Sequence, residues 1–192
     1  MRPPPMHLLI AAGGHAKVVA EALPDPVGAY VDRREADWLD AEWIASDEAA
    51  LADAGLRALP LALGIAGTRP DRLEGRLKLL EDYLAAGFQA PPVIHPAAVI
   101  SPSARIEAGA VVLAGTVVQP HATVGRGCIV NTRAIVEHDC AIGAGSHLAP
   151  GAIVLGNCKV GRTCMIGAGA VVLPGSDLPD GTLVKAATRY PE

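Results

Sequence analysis

The sequence predicts a small Rossmann-like α/β domain with a parallel sheet over residues 1–92, followed by a parallel β-helix of hexapeptide repeats over 93–192. Three observations carry this. Short apolar runs alternate with amphipathic stretches in the first half, the pattern of strands and helices around a parallel sheet. From Ile94 onward an aliphatic residue recurs every six positions, without a break, to Val184. Finally, the 192 residues are 51% hydrophobic but only 3% aromatic, with no aromatic between Gln89 and Arg189. An ordinary core of that size would bury Phe, Tyr or Trp.

In the first half, HLLIAA (7–12) reads as a strand, followed by Gly13-Gly14-His15 and the helical spacing of AKVVAEAL. VGAYVD (27–32) is a second strand, ending on Asp32. SDEAALADAG (46–55) has a Ser N-cap, acids in its first turn and a closing Gly55, so it reads as a helix. LPLALGI (59–65) is a third strand, and residues 69–87 form a longer amphipathic helix closed by Gly87.

Ligands of such sheets sit at the carboxyl ends of the strands. Gly13 and Gly14 at the first strand-to-helix turn would let backbone N–H groups approach a phosphate. Asp32, at the end of the second strand, is placed to accept hydrogen bonds from a ribose or a base. The full G-x-G-x-x-G fingerprint is absent, since Ala11 and Ala16 stand where glycines are expected. A plain tight turn is the other reading, and nothing supports hydride chemistry.

In the second half, the aliphatic series runs Ile94, Ile100, Ile106, Val112, Val118, Val124, Val130, Val136, Ile142, Leu148, Val154, Val160, Ile166, Val172, Leu178, Val184. A small residue follows four places after each of the first fifteen. Three hexads make one triangular coil, so the aliphatic side chains point inward and stack at roughly the 4.8 Å strand spacing. A prism that narrow has no room for aromatic rings. All four cysteines (128, 140, 158 and 164) fall on the small-residue position, so they read as inward packing residues rather than a disulfide or metal framework. Free buried thiols suit a reducing compartment.

With the inward positions assigned, the histidines of segment 131–147 need another explanation. Neither His138 nor His147 holds an aliphatic-core position. Glu137 and Asp139 flank His138, and a carboxylate beside an imidazole orients it and favours its charged form, as a general base requires. His121 and Asn157 lie eighteen residues either side of Asp139, so the three should share one corner. Gly156, one coil beyond His138, leaves room for a substrate and a free backbone N–H. A zinc site would want two histidines about five apart with a third further off; the spacings here are nine and seventeen, so no metal is expected. Exposed polar corners are the remaining alternative.

These residues resemble a known family. The turn Gly13-Gly14-His15-Ala-Lys-Val, the α/β domain and Asn131-Thr132…Glu137-His138-Asp139 within hexapeptide coils are the layout of bacterial sugar-nucleotide acetyltransferases. The group resembled is the sialic-acid O-acetyltransferase-like family, which includes N-acetyltransferases for UDP-4-amino sugars and GDP-perosamine. The resemblance implies a left-handed β-helix assembled as a homotrimer, with acetyl-CoA between subunits and a nucleotide-linked amino sugar on the N-terminal domain. His138 then matches the general base, Asp139 its acidic neighbour, and His147 a second active-site histidine near the acetyl group. Asn131 matches a polar active-site position and Gly156 a backbone N–H by the thioester. Gly13, Gly14 and His15 match the pyrophosphate turn, and Asp32 the nucleotide-recognising acid. Four features depart from the family: Ala11 for the first glycine, Arg33 for a second acid, Gly64-Ile-Ala-Gly67 for a more polar loop, and the ending KAATRYPE.

The implied chemistry is direct transfer to an amine, with no acyl-enzyme because the thiols face inward. O-acetylation of a sugar hydroxyl is the alternative within the enzyme class, and a non-catalytic β-helix binding trimer lies outside it. Lys159, Arg162, Lys185 and Arg189 are candidates for CoA phosphates, with solvated surface charge as the other reading. The net charge of −4 shows no basic stripe, and the aromatic desert offers no stacking platform, so nucleic acid is not expected. Despite a mean hydropathy of +0.32, no run is long enough for membrane insertion, and the expected location is the cytoplasm.

Overall fold

A computed structural model describes residues 6–191. The first half is a four-stranded sheet, β1 (His7–Ile10), β2 (Val27–Val31), β3 (Glu42–Ile44) and β4 (Leu61–Leu63), in the order β3-β2-β1-β4. Every pairing is parallel. Helix α1 (Gly14–Ala22) connects β1 to β2, α2 (Asp47–Ala52) lies between β3 and β4, and α3 (Pro70–Ala85) follows β4.

Two details differ from the sequence reading. Strand β3 was not expected; it is a three-residue edge strand with no buried residue, so it has no apolar signature. Helix α2 does start at its Ser46 cap, whose hydroxyl accepts from Ala49 N at 3.2 Å, but it ends at Ala52 and not at Gly55. Gly55 instead precedes a 3-10 turn, Leu56–Ala58. Helix α3 closes on Gly87, whose φ of +93° is the left-handed conformation that glycine adopts freely.

From Val93 to Tyr190 the described chain forms seventeen two-residue strands. Successive strands visit three parallel sheets in turn, and each pairs with the strand eighteen residues away, as Ile129 does with His147. The result is a three-faced parallel β-helix. The second residue of each strand points inward, and Val112 to Val184 of the aliphatic series form one buried cluster with Ala, Cys and Tyr190. The series is not buried throughout: Ile94 is 38% exposed, because no coil lies beneath it.

The small-residue position does more than pack. Thr116, Cys128, Cys140, Ser146, Cys158 and Cys164 each donate to the carbonyl fifteen residues ahead, at 2.8–3.2 Å. A hydroxyl or thiol there satisfies a carbonyl that the two-residue ladders leave over. All four cysteines are free and buried.

The corners carry a second period. Residues with positive φ recur every six positions from Gly109 to Ala187, fourteen in all, of which eight are glycine. Helix α3 crosses one corner column, and a Cβ on Gly109 or Gly127 would come within 3.0 Å of Leu80 Cδ2. There glycine is needed for close approach as well as for φ. The outer residues Val93 and Val111 of the adjoining face share a buried cluster with Leu9, Val19 and Tyr30, so the α/β layer and the β-helix form one packed seam. Among the described residues no helix is long and apolar enough to cross a membrane.

Candidate active site

The corner at 137–140 lies between strand Ile135–Val136 and strand Ala141–Ile142. His138 Nδ1 is 2.7 Å from Asp139 Oδ2, and both side chains are more than half exposed. Since an ionised Asp139 can only accept, Nδ1 carries a proton, and in the neutral ring the lone pair is on Nε2. Nε2 points at Gly156 on the next coil, where an added Cβ would stand 2.7 Å from it. Glu137, His138 and Gly156 line a cleft of about 530 Å3 with Leu155, Asn157, Pro174 and Gly175. The N–H of Gly156 has no hydrogen-bond partner among the described residues. An imidazole and an unpaired backbone N–H therefore border the same cleft.

His147 is elsewhere. It lies on the face covered by the α/β layer and is 3% exposed. Its Nδ1 donates to Gly67 O at 2.6 Å and its Nε2 accepts from Asn131 Nδ2 at 3.1 Å. Asn131 Oδ1 in turn accepts from Thr132 N at 2.8 Å. Burial pushes the His147 pKa below its ordinary value of 6.5, against the opposing bond to Gly67. Within one chain His138 and His147 are not brought together; Asn131 joins His147.

His15, in the first turn of α1, lies close enough to His147 and Arg76 for their charges to affect it. Burial first, then those two neighbours, lowers its pKa to about 4. Gly13 and Gly14 are exposed, and a Cβ on either would meet nothing within 4 Å. Gly64 is tightly packed: a Cβ would be 2.7 Å from both Ala11 O and Ala16 Cβ. Ala11 replaces glycine yet adopts its conformation, with φ at +71°. Asp32 lines a cleft of about 340 Å3 at the ends of β1 and β2 with Arg33, Ser46, Asp47 and Glu48. Its carboxylate is already engaged, accepting from Ala12 N at 2.8 Å and Arg34 N at 3.1 Å, so it braces the two loops of that cleft. Lys159 and Arg162 are exposed, with Arg162 N bonded to Asp180 Oδ1 at 2.8 Å.

The sequence reading did not single out Arg76. It is 2% exposed, its Nε donates to Ile65 O at 2.7 Å and its Nη1 donates to Gly127 O. The signal was present: Arg76 interrupts the apolar stripe Leu73, Leu77, Leu80 of α3. Among the described residues no group of three or more His, Cys, Asp or Glu is positioned to hold a metal ion.

The chain is similar to known proteins. The bacterial transferase hexapeptide (six repeats) family matches residues 139–174. The acetyltransferase domain of PglB from Neisseria gonorrhoeae FA1090, solved with acetyl coenzyme A, is 32% identical over 96% of this chain and 90% of that one, with a TM-score of 0.85. PerB from Caulobacter crescentus, solved with CoA and GDP-perosamine, is 35% identical over 96% of this chain and 87% of that one, also at 0.85. WeeI from Acinetobacter baumannii AYE shares the fold at 22% identity and a TM-score of 0.68, over 96% of this chain and 93% of that one. A comparison with curated proteins finds none that matches.

Proposed function

Given that the chain belongs to the bacterial sugar-nucleotide acetyltransferases of the hexapeptide-repeat superfamily, as an acetyl-CoA-dependent sugar N-acetyltransferase, we propose that it acetylates the amino group of a nucleotide-linked amino sugar with His138 as general base. The observation that carries this is the pairing of His138 Nδ1 with Asp139, in a cleft that Gly156, with its unpaired N–H, also lines. The sugar amine attacks the thioester carbonyl, and Nε2 takes its proton. Gly156 N–H donates to the oxyanion. The C–S bond then breaks, and the imidazolium, stabilised by Asp139, returns the proton to the CoA thiolate. Glu137 lines the same cleft.

We read residues 1–92 as the sugar-nucleotide domain, with Gly13, Gly14, His15, Asp32 and Gly64 around its ligand, and 93–192 as the acetyltransferase domain, coiled left-handed as the resemblance implies. Lys159 and Arg162 remain the CoA phosphate candidates. A homotrimer is supported by the outer residues of one β-helix face, Val99, Val117, Ile135, Ile153 and Val171, an apolar column with Val99 63% exposed. Assembly through that face would set the His138 corner of one copy beside the Asn131–His147 edge of the next. The enzyme works in the cytoplasm, where acetyl-CoA is made and thiols stay reduced.

The test is acetyl-CoA thiol release across UDP-, GDP- and dTDP-amino sugars. His138→Ala should lower kcat by roughly 10²–10⁴-fold. Undiminished turnover in the variant would remove the base assignment. Acetylation of a hydroxyl acceptor and of no amine would replace N- with O-transfer.

A further inference from the structure

The proposed transfer uses none of the four cysteines, yet Cys140 meets the site from within. It follows Asp139 in the chain, is 2% exposed and belongs to the packed interior of the β-helix. Its Sγ donates to Leu155 O at 3.1 Å, and that carbonyl has no other partner among the described residues. The carbonyls of Asn131, Gly143, Leu173 and Pro179 also receive an inward hydroxyl or thiol, but each accepts a second bond from the N–H three residues on. Leu155 O depends on the thiol alone. Burial raises the Cys140 pKa to about 11, so the proton it donates stays on sulfur at neutral pH.

Leu155 C=O and Gly156 N–H belong to one trans peptide group. In such a group the two bonds point in opposite directions. With the carbonyl turned to the buried thiol, Gly156 N–H is turned out of the prism, where Gly156 and His138 line their cleft. Other corners show what an N–H at this hexad position does. Arg126 N donates to Glu107 Oε2 at 3.0 Å, Thr132 N to Asn131 Oδ1 at 2.8 Å and Arg162 N to Asp180 Oδ1 at 2.8 Å. Behind Arg162 the whole arrangement is repeated, since Ser146 Oγ donates to Gly161 O at 2.8 Å. An inward donor holds the carbonyl, and the N–H meets an oxygen outside. At Gly156 no side chain among the described residues supplies that oxygen, which leaves the N–H to the cleft.

We infer that Cys140 is a positioning residue for acetyl transfer: its thiol, by holding Leu155 O, aims Gly156 N–H at the oxyanion. This rests on the acetyl-transfer reading above and extends it to a residue that touches no substrate. Gly156 O is held separately, by Gly175 N at 3.0 Å. The peptide before Gly156 is therefore the one whose orientation the thiol sets. An oxyanion donor is effective because it is aimed before the charge develops.

The experiment compares Cys140→Ala and Cys140→Ser in the intact protein. Ala122, Ala134 and Ala152 hold the same hexad position, so alanine fits the prism, and Ser146 shows that serine reaches the carbonyl from it. With acetyl-CoA and the UDP-, GDP- and dTDP-amino sugars above, Cys140→Ala should lower kcat about tenfold or more at unchanged KM. Cys140→Ser should recover most of that loss. The acid limb of the kcat/KM profile, set by His138, should stay in place in both variants. A displaced limb means that the loss runs through the His138–Asp139 pair and overturns the inference. Unchanged kcat in the alanine variant, or a serine variant equally slow, overturns it too. A second readout needs no activity. The chain has two Leu–Gly pairs, Leu63–Gly64 and Leu155–Gly156, so carbonyl carbon-13 leucine with nitrogen-15 glycine gives two correlated NMR signals. The Leu155–Gly156 signal should move in the alanine variant and shift back in the serine variant, with Leu63–Gly64 fixed. If the wild type acetylates none of the sugars, the acetyl-transfer reading falls by itself and this signal decides the thiol. Movement supports its hold on the peptide, and no movement overturns it.

Discussion

Asp139 holds a backbone φ of +58° while its carboxylate lies 2.7 Å from the Nδ1 of His138. The β-helix requires that conformation at every sixth residue, and most of those corners are glycine. An aspartate tolerates it better than most side chains but not as well as glycine. Asp139→Gly should therefore raise stability by up to about 1 kcal/mol. The same change should cost at least about tenfold in kcat, because the imidazole loses its orienting acceptor. Thermal unfolding and steady-state kinetics on one preparation check both signs.

Gly156 tests the opposite constraint. Its φ is not in the left-handed region, so alanine is tolerated by the backbone there. The added methyl group would nonetheless occupy the space before His138 Nε2. Gly156→Ala should leave the melting temperature nearly unchanged and reduce kcat by about tenfold or more, as the base is displaced. Restored activity at saturating substrate would count against a role for that space in the chemical step.

Acid should destabilise the seam. His15 titrates at about 4 in the fold against an ordinary value of 6.5, and burial lowers His147 in the same direction. Between those values the unfolded chain binds more protons than the native one, so stability is full above pH 6.5 and falls as the pH drops towards 4. His15 alone accounts for up to about 3 kcal/mol of this. Urea unfolding at pH 7, 6 and 5 should show the decline, and His15→Gln should flatten it.

Ala11 occupies a conformation that costs a side chain about 1–2 kcal/mol. Against this stands the larger unfolded-state entropy of glycine. Ala11→Gly should stabilise the protein by about 0.5–1 kcal/mol, read as a higher urea midpoint at constant m-value.

The apolar column on the outer β-helix face has its own test. Ile135→Glu places a charge at the middle of that column, between Val117 and Ile153. Light scattering after gel filtration should show a trimer for the wild type and a monomer for the variant, with acetyl transfer lost together with assembly. A wild-type monomer with full activity would remove the trimer.

The β-helix was legible because every hexad repeats the same decision. Val124, Val130 and Val136 each announce an inward position, and His138–Asp139 is a pair of chain neighbours whose contact needs no long-range packing. Strand β3 was not legible, since Glu42–Ile44 owes its existence to pairing with β2 and buries nothing. The glycines at Gly109, Gly115 and Gly127 hint at the corner period, but His121, Arg133, Asp139 and Asn157 interrupt it with other residue types. His147 was grouped with His138 from a shared segment; nine residues carry the chain from a corner to a covered face, and only the folded seam shows what His147 touches. Arg76 required the crossing of α3 over the Gly127 corner, a contact between residues fifty-one positions apart.

Each strand in the coil is two residues long and pairs only with the strands above and below it. Such a stack behaves as a one-dimensional chain of equivalent units, and opening propagates from its free ends. Ile94 at one end is already partly uncovered. The His138 corner has eight strands on one side and nine on the other. Fraying must consume half the stack before it reaches that corner, so its hydrogen-bonded amides, Glu137 N and Asp139 N, should be among the last to exchange with solvent.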